Sequence, residues 1–304
     1  MALRVSTRGM SRTDRHNMIV GLILVSPWLI GFILWTCYPL GASMYYSLTR
    51  YDLMSPPVYI GLDNYREIFT SPDAALVAKN TLWWVALSPP LGVISAFLMA
   101  NLLNTRILGR SFFRAIFFFP SIVPAVVTAM IWTFFLNTQY GAINATLSAL
   151  GFKAIPFLSS PTAVKPTLIV IHMWAQGSAM VIFLATLQDV PRALYDAAMI
   201  DGANAFRRFW NVTIPMCSPV VLFSLVMGFI GGFQYFTMPW LLTQGGPNRA
   251  TDFYSLYLYR NAFLFLRMGK AAALAWLLFV VVVVFTVVLF KTSGRWVYYG
   301  GEAD

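Results

Sequence analysis

Asp196-Ala197-Ala198, with Gly202 four residues on and Pro215 at its end, belong to the segment YDAAMIDGANAFRRFWNVTIP, which has apolar runs on both sides. Its charges, Asp196, Asp201, Arg207 and Arg208, are of both signs, and the segment holds no cysteine or histidine. The chemistry open to such a set is recognition. Carboxylates and guanidiniums, with Arg192 just upstream, pair with opposite charges. Side chains as small as Ala197 and Ala198 let a helix sink into a groove on a partner.

A second set lies inside the apolar runs. IHMWAQGS brings His172, Trp174, Gln176 and Ser178; GGFQYFTMPW brings Gln234 and Tyr235; Trp132 stands in a third run. Amide and indole groups exchange hydrogen bonds with hydroxyls, and ring faces cover the C–H side of a sugar. The set therefore fits a wet path for a neutral, hydroxyl-rich solute. Each member also has a plainer role: polar side chains in membrane helices bond to neighbouring helices, tryptophans anchor at the interface, and His172 alone reads as a satisfied bundle histidine. No catalytic residue, metal or resident cofactor is expected. The chain has 2 histidines and 2 cysteines, so no metal-ligand spacing is available. Neither a GxSxG elbow nor a GxxxxGK[ST] loop occurs. What drives this protein must lie on another chain.

The elements that position these residues follow from composition. The 304 residues are 59% hydrophobic and 11% charged, with a mean hydropathy of +0.69, whereas soluble domains carry about 25% charged residues. The expected fold class is all-α, a polytopic helical bundle in membrane lipid. Apolar runs of about 20 residues predict six transmembrane helices at Met18–Leu40, Thr81–Asn101, Phe113–Leu136, Thr167–Leu187, Pro219–Leu241 and Ala271–Phe290. Pro89, Pro90, Pro120 and Pro124 favour kinks inside them. Residues 1–17 read as a polar arm, 18–290 as the membrane domain including a loop at 188–218, and 291–304 as a tail.

The net charge of +10 is spread between the runs, so no nucleic acid partner is expected. Twelve of the 21 Lys and Arg residues flank the side that carries both termini: Arg4, Arg8, Arg12, Arg15, Arg106, Arg110, Arg114, Arg192, Arg207, Arg208, Lys291 and Arg295. Positive loops stay inside, so both termini and the Tyr195–Pro215 segment are expected to be cytoplasmic. No Asp, Glu, Lys or Arg lies deep in a span, which weakens an ion-coupled carrier. Gly228 and Gly232 form a GxxxG that suits close helix packing.

Inside the polar segment, Asp189 and Pro191 suit a helix start. Gly202 suits a left-handed stop, Asn204 suits the cap of a second helix, and Pro215 is expected to close it. The pattern resembles the EAA loop of binding-protein-dependent ABC importer permeases: E-A-A, three residues, Gly, nine residues, then I-x-L-P. Asp196-Ala197-Ala198 stand for EAA, Gly202 keeps its distance, and Val212, Ile214 and Pro215 stand for the end. YIGLDNYREIF, LLTQGGPNRATDF and RWVYYGGE are similar to the sugar-type branch. The resemblance implies the type I importer permease fold in the cell inner membrane, with Arg192, Asp196, Ala197, Ala198, Gly202, Arg207 and Pro215 coupling to an ATPase. It also implies a second homologous permease subunit, two copies of a cytoplasmic ABC ATPase that holds ATP and Mg, an extracytoplasmic solute-binding protein, and a carbohydrate substrate. The rival expectations are the same architecture importing glycerol 3-phosphate or another polyol, an ion-coupled secondary carrier without an ATPase, and a membrane scaffold.

Overall fold

The computed structural model describes residues 12–105 and 108–298. Arg4, Arg8, Arg106 and the end of RWVYYGGE lie outside them. Among the described residues the regular structure is helical, apart from a two-residue hairpin pairing β1 (Thr49–Arg50) with β2 (Val58–Tyr59). In order, the helices are α1 (Arg12–Ser47), α2 (Asp63–Thr70), α3 (Pro72–Asn104), α4 (Arg110–Ile122) and α5 (Ala125–Phe135). Next come α6 (Ala142–Ala149), α7 (Val164–Trp174), α8 (Gly177–Asp189) and α9 (Arg192–Ile200). The last are α10 (Ala205–Phe233), α11 (Thr237–Leu242), α12 (254–264) and α13 (Met268–Ser293).

Helices α1, α3, α10 and α13 are each long and apolar enough to cross a membrane; α4–α5 and α7–α8 bring the number to six when each bent pair is one span. The six-span architecture stands, with breaks that differ from the expected kinks in place and size. Phe113–Leu136 is broken between Ile122 and Ala125 by 104°. Pro124 has no N–H to continue the ladder and pushes Val123 into the extended region, at φ −74° and ψ 129°. Thr167–Leu187 bends by 49° at Ala175–Gln176 with no proline there. Its cause is tertiary: a Cβ at Gly177 would lie 2.5 Å from the Phe117 carbonyl oxygen, so the α8 start presses directly on the α4 backbone. Pro89 and Pro90, by contrast, stay inside an unbroken α3. The first span is longer than expected, and the helix of the fifth span, α10, starts at Ala205 and stops at Phe233.

α3 is the central helix and packs against α7, α8 and α10. Lipid offers no hydrophobic drive between helices, so close approach of small residues does the work. Ala96 and Ala100 of α3 meet Met180, Phe183 and Leu187 of α8 in one buried cluster. The GxxxG has the same use: Cβ atoms at Gly228 and Gly232 would come within 3.1 and 3.3 Å of Pro89. α1 is different. Its Arg12–Phe32 portion buries no residue, and only its end joins the bundle, where Trp276 Nε1 donates to Ser43 Oγ at 3.2 Å.

The bundle end that bears α2 is held by ions. Glu67 accepts from Arg267 Nη2 at 2.7 Å and Lys270 Nζ at 2.9 Å, and the Lys270 side chain is only 5% exposed. Burial pushes the Glu67 carboxyl up, but hydrogen bonds and charge from Lys270 and Arg267 outweigh it and hold the group below its usual value of 4.5. A depressed carboxylate contributes stability that is complete above the unfolded value and is lost as pH falls through the folded one. Thermal unfolding in detergent is therefore expected to show a loss of stability setting in below pH 4.5. Glu67→Gln should flatten that acid limb; an unchanged limb would assign it to other carboxylates.

Candidate functional site

The polar segment forms a bend of two helices at one end of the bundle. Val190 and Pro191 are extended, so Asp189 closes α8 instead of opening the next helix, and Pro191 occupies the cap of α9. Gly202 stops α9 with φ +74°. Ala203 N donates to the Ala198 carbonyl at 2.8 Å and Gly202 N to that of Met199 at 3.0 Å, the paired bonds of a left-handed helix stop. Nothing lies within 4 Å of a Gly202 Cβ, so backbone conformation alone demands glycine. Asn204 Oδ1 accepts from Arg207 N at 2.9 Å and caps α10.

Pro215 does not end that helix. A π turn at Phe209–Thr213 precedes it, and the helix runs on to Phe233. The wider turn absorbs a residue that has no N–H to give. The bend is thus covalently and helically continuous with the fifth span. Arg192, Asp196, Ala197 and Arg207 are exposed and Ala198 is half-buried. Around them Leu194, Met199, Ile200 (87%), Phe206 (71%) and Trp210 are exposed too. An apolar patch of this kind, rimmed by charge, marks an interaction surface.

The second set meets inside the bundle at two breaks in the helices. Gln176 caps α8 at the α7–α8 break, and Gln234 and Tyr235 lie between α10 and α11. Irregular backbone at membrane depth persists only where it is buried in protein or lines a cavity. Tyr235 stacks on Trp84 of α3 with ring centroids 4.1 Å apart, and the His172 ring meets Trp84 at 5.8 Å. Gln176 Nε2 lies 2.9 Å from His172 Nε2 and also donates to the His172 carbonyl. Trp132 and Trp174 form an edge-on pair at 5.4 Å. Ser178 and Gln234 are exposed and make no hydrogen bond to these groups among the described residues.

The residue at the centre, Trp84, is 1% exposed and was not singled out by its sequence context. Its Nε1, Ser88 Oγ one turn along α3, and Trp132 Nε1 are buried with no hydrogen-bond partner among the described residues. What separates Trp84 from its half-buried neighbour Trp83 is its burial among rings of distant spans and its unpartnered Nε1. The far end of the bundle carries a further lock. Asp252, with its side chain 1% exposed, accepts from Arg249 Nε at 3.1 Å and Arg260 Nη1 at 3.2 Å. Asn80 Nδ2 donates to the carbonyls of Arg249 and Asp252. The loop 243–253 is thereby stitched to α3.

Comparison with known proteins gives these features a context. Among curated relatives, the chain is 39% identical to the probable ABC transporter permease protein YesP of Bacillus subtilis, covering 97% of this chain and 96% of that one. It is 31% identical to the trehalose/maltose transport system permease protein MalF of Thermococcus litoralis, over 93% and 96%. It is 29% identical to the sn-glycerol-3-phosphate transport system permease protein UgpA of Rhizobium meliloti, over 96% and 100%. A chain in the crystal structure of a bacterial alginate ABC transporter, in complex with alginate pentasaccharide-bound periplasmic protein, has the same fold. The TM-score is 0.82 at 24% identity, covering 93% of this chain and 96% of that one. The pattern of the family described as "Binding-protein-dependent transport system inner membrane component" matches residues 89–298, bend and both helix breaks included. The chain belongs to that family and is a multi-pass membrane permease component of an ABC importer.

Proposed function

We propose that this permease imports a carbohydrate by alternating access, driven by a separate ATPase that grips the bend at Arg192–Pro215. The observation that carries the proposal is the bend itself. It presents apolar side chains and charges that no other part of the described chain covers, and it passes without a break into α10. A motor seated on α9 would move a span directly. On this reading both termini and the bend are cytoplasmic, and the Asp252 lock is on the face where a solute-binding protein delivers its load. A second permease subunit and two ATPase copies complete the assembly, with ATP and Mg on the ATPase.

The substrate class rests on the ring-and-amide seam of Trp84, Tyr235, His172, Gln176, Trp132 and Trp174, which suits a neutral polyhydroxylated solute. The likeness to UgpA favours glycerol 3-phosphate as the second reading, but a phosphate would call for a cation, and the six residues of the seam include no Lys or Arg. The experiment is purification of the tagged chain in mild detergent, followed by uptake in proteoliposomes of the recovered complex with its captured binding protein. Co-purification of an ABC ATPase and ATP-dependent uptake of a neutral sugar are expected. Recovery without a nucleotide hydrolase would remove the driven-import reading, and uptake of glycerol 3-phosphate in preference to sugars would remove the substrate class.

A further inference from the structure

Within the bend, a specific polar contact ties α9 to the root of the fifth span. Tyr195 of α9 places its hydroxyl 3.0 Å from Thr213 Oγ1. Thr213 is 5% exposed and is the last residue of the π turn that leads into the apolar part of α10. Phe209, at the other end of that turn, meets the Phe97 ring of α3 at 5.8 Å. Beyond Pro215, Ser218 Oγ accepts from Tyr298 N at 2.8 Å, while Val297 packs with Leu222 and Val226 of α10. The root of α10 is therefore gripped by α9 at Thr213 and by the tail at Ser218, with Pro215 between the two holds. A π turn has the looser geometry that lets a helix change pitch or direction at functional positions.

We infer that Tyr195 is a positioning residue for coupling: its hydrogen bond to Thr213 is the strut through which movement of α9 reaches α10. Without it, α9 is joined to the start of α10 through the turn at 201–204, where Gly202 has left-handed backbone with open space around it, and the angle between the two helices is less firmly held. Loss of the strut separates ATP hydrolysis from solute movement. The inference rests on the driven-import reading above.

The test uses the whole transporter in proteoliposomes, with solute moved and ATP hydrolysed measured together. Tyr195→Phe keeps the ring and removes the hydroxyl; Thr213→Val keeps the shape and removes the other partner. Each is expected to lower solute moved per ATP by about fivefold, the scale of one hydrogen bond in an equilibrium. ATPase co-purification is followed in the same preparations, and the ratio is taken per recovered complex. The double variant should be no worse than either single one, and Thr213→Ser should retain wild-type stoichiometry. A folding role alone would lower the yield of complex and leave the stoichiometry unchanged. Wild-type stoichiometry in Tyr195→Phe, additive losses in the double variant, or failure of Thr213→Ser would overturn the strut while the importer stands. Absence of ATP-dependent uptake by the wild type would overturn the importer reading and the strut with it.

Discussion

Gly202→Pro is expected to abolish solute uptake and solute-stimulated ATP hydrolysis while the chain still inserts as a bundle. Gly202 holds φ +74° and donates its N–H to the Met199 carbonyl. Proline can do neither, because its ring fixes φ near −65° and it carries no N–H. The cost is about 3 kcal/mol, or about a hundredfold in the population that keeps α9 and α10 at their present angle. Space around Gly202 is open, so the damage is confined to the bend and leaves the packed spans alone. Asp196→Lys attacks the same function through charge. It turns an exposed acid into a cation on the surface where an ATPase is proposed to sit, and like charge facing a complementary site costs several kcal/mol. Uptake and hydrolysis assays on reconstituted complexes, with membrane insertion followed by protease accessibility, decide the matter. Normal uptake from both variants would remove the coupling assignment of the bend.

How much of this was legible in the sequence depends on how local each cause is. The six apolar runs declare themselves because lipid sets a minimum length, and the bend declares itself because Gly202 and Asn204 act on their own backbone neighbours. The break at Pro124 could be expected as a kink, but its 104° angle comes from how α5 packs afterwards. The break at Gln176 has only Gly177 as a sequence sign, and a lone glycine does not say that the α4 backbone lies against it. Pro215 misled for the opposite reason. The local rule that proline closes a helix is sound, but a π turn just upstream satisfied it in another way. Ser178 and Gln234 share their runs with the ring-and-amide seam but stay exposed in the single chain, because sharing a run does not fix which side of a broken helix a residue faces. Trp84 and Ser88 were invisible, because what makes them matter is an unpartnered polar atom in a packed core.

That unpartnered atom leads to the second large effect. A buried N–H without a partner costs about 1–3 kcal/mol, so a Trp84 kept only for packing would be better replaced by a ring without the donor. Trp84→Phe should therefore leave the detergent-solubilised complex at least as heat-stable as the wild type. If the indole N–H is held for a solute hydroxyl when the Tyr235 stack opens, the same variant should lose transport by about tenfold, the scale of one hydrogen bond made in passage. Tyr235→Ala and Trp174→Ala remove the ring faces on either side of the seam and should impair uptake further, with basal ATP hydrolysis unchanged in all three. Stability and transport then move in opposite directions for Trp84→Phe, a pattern that packing alone does not produce. Unchanged uptake kinetics in Trp84→Phe, together with raised stability, would make Trp84 a cost of folding with no part in the path. Falling stability and falling uptake in parallel would make it a core residue like Phe229 or Phe253, its neighbours in the same cluster.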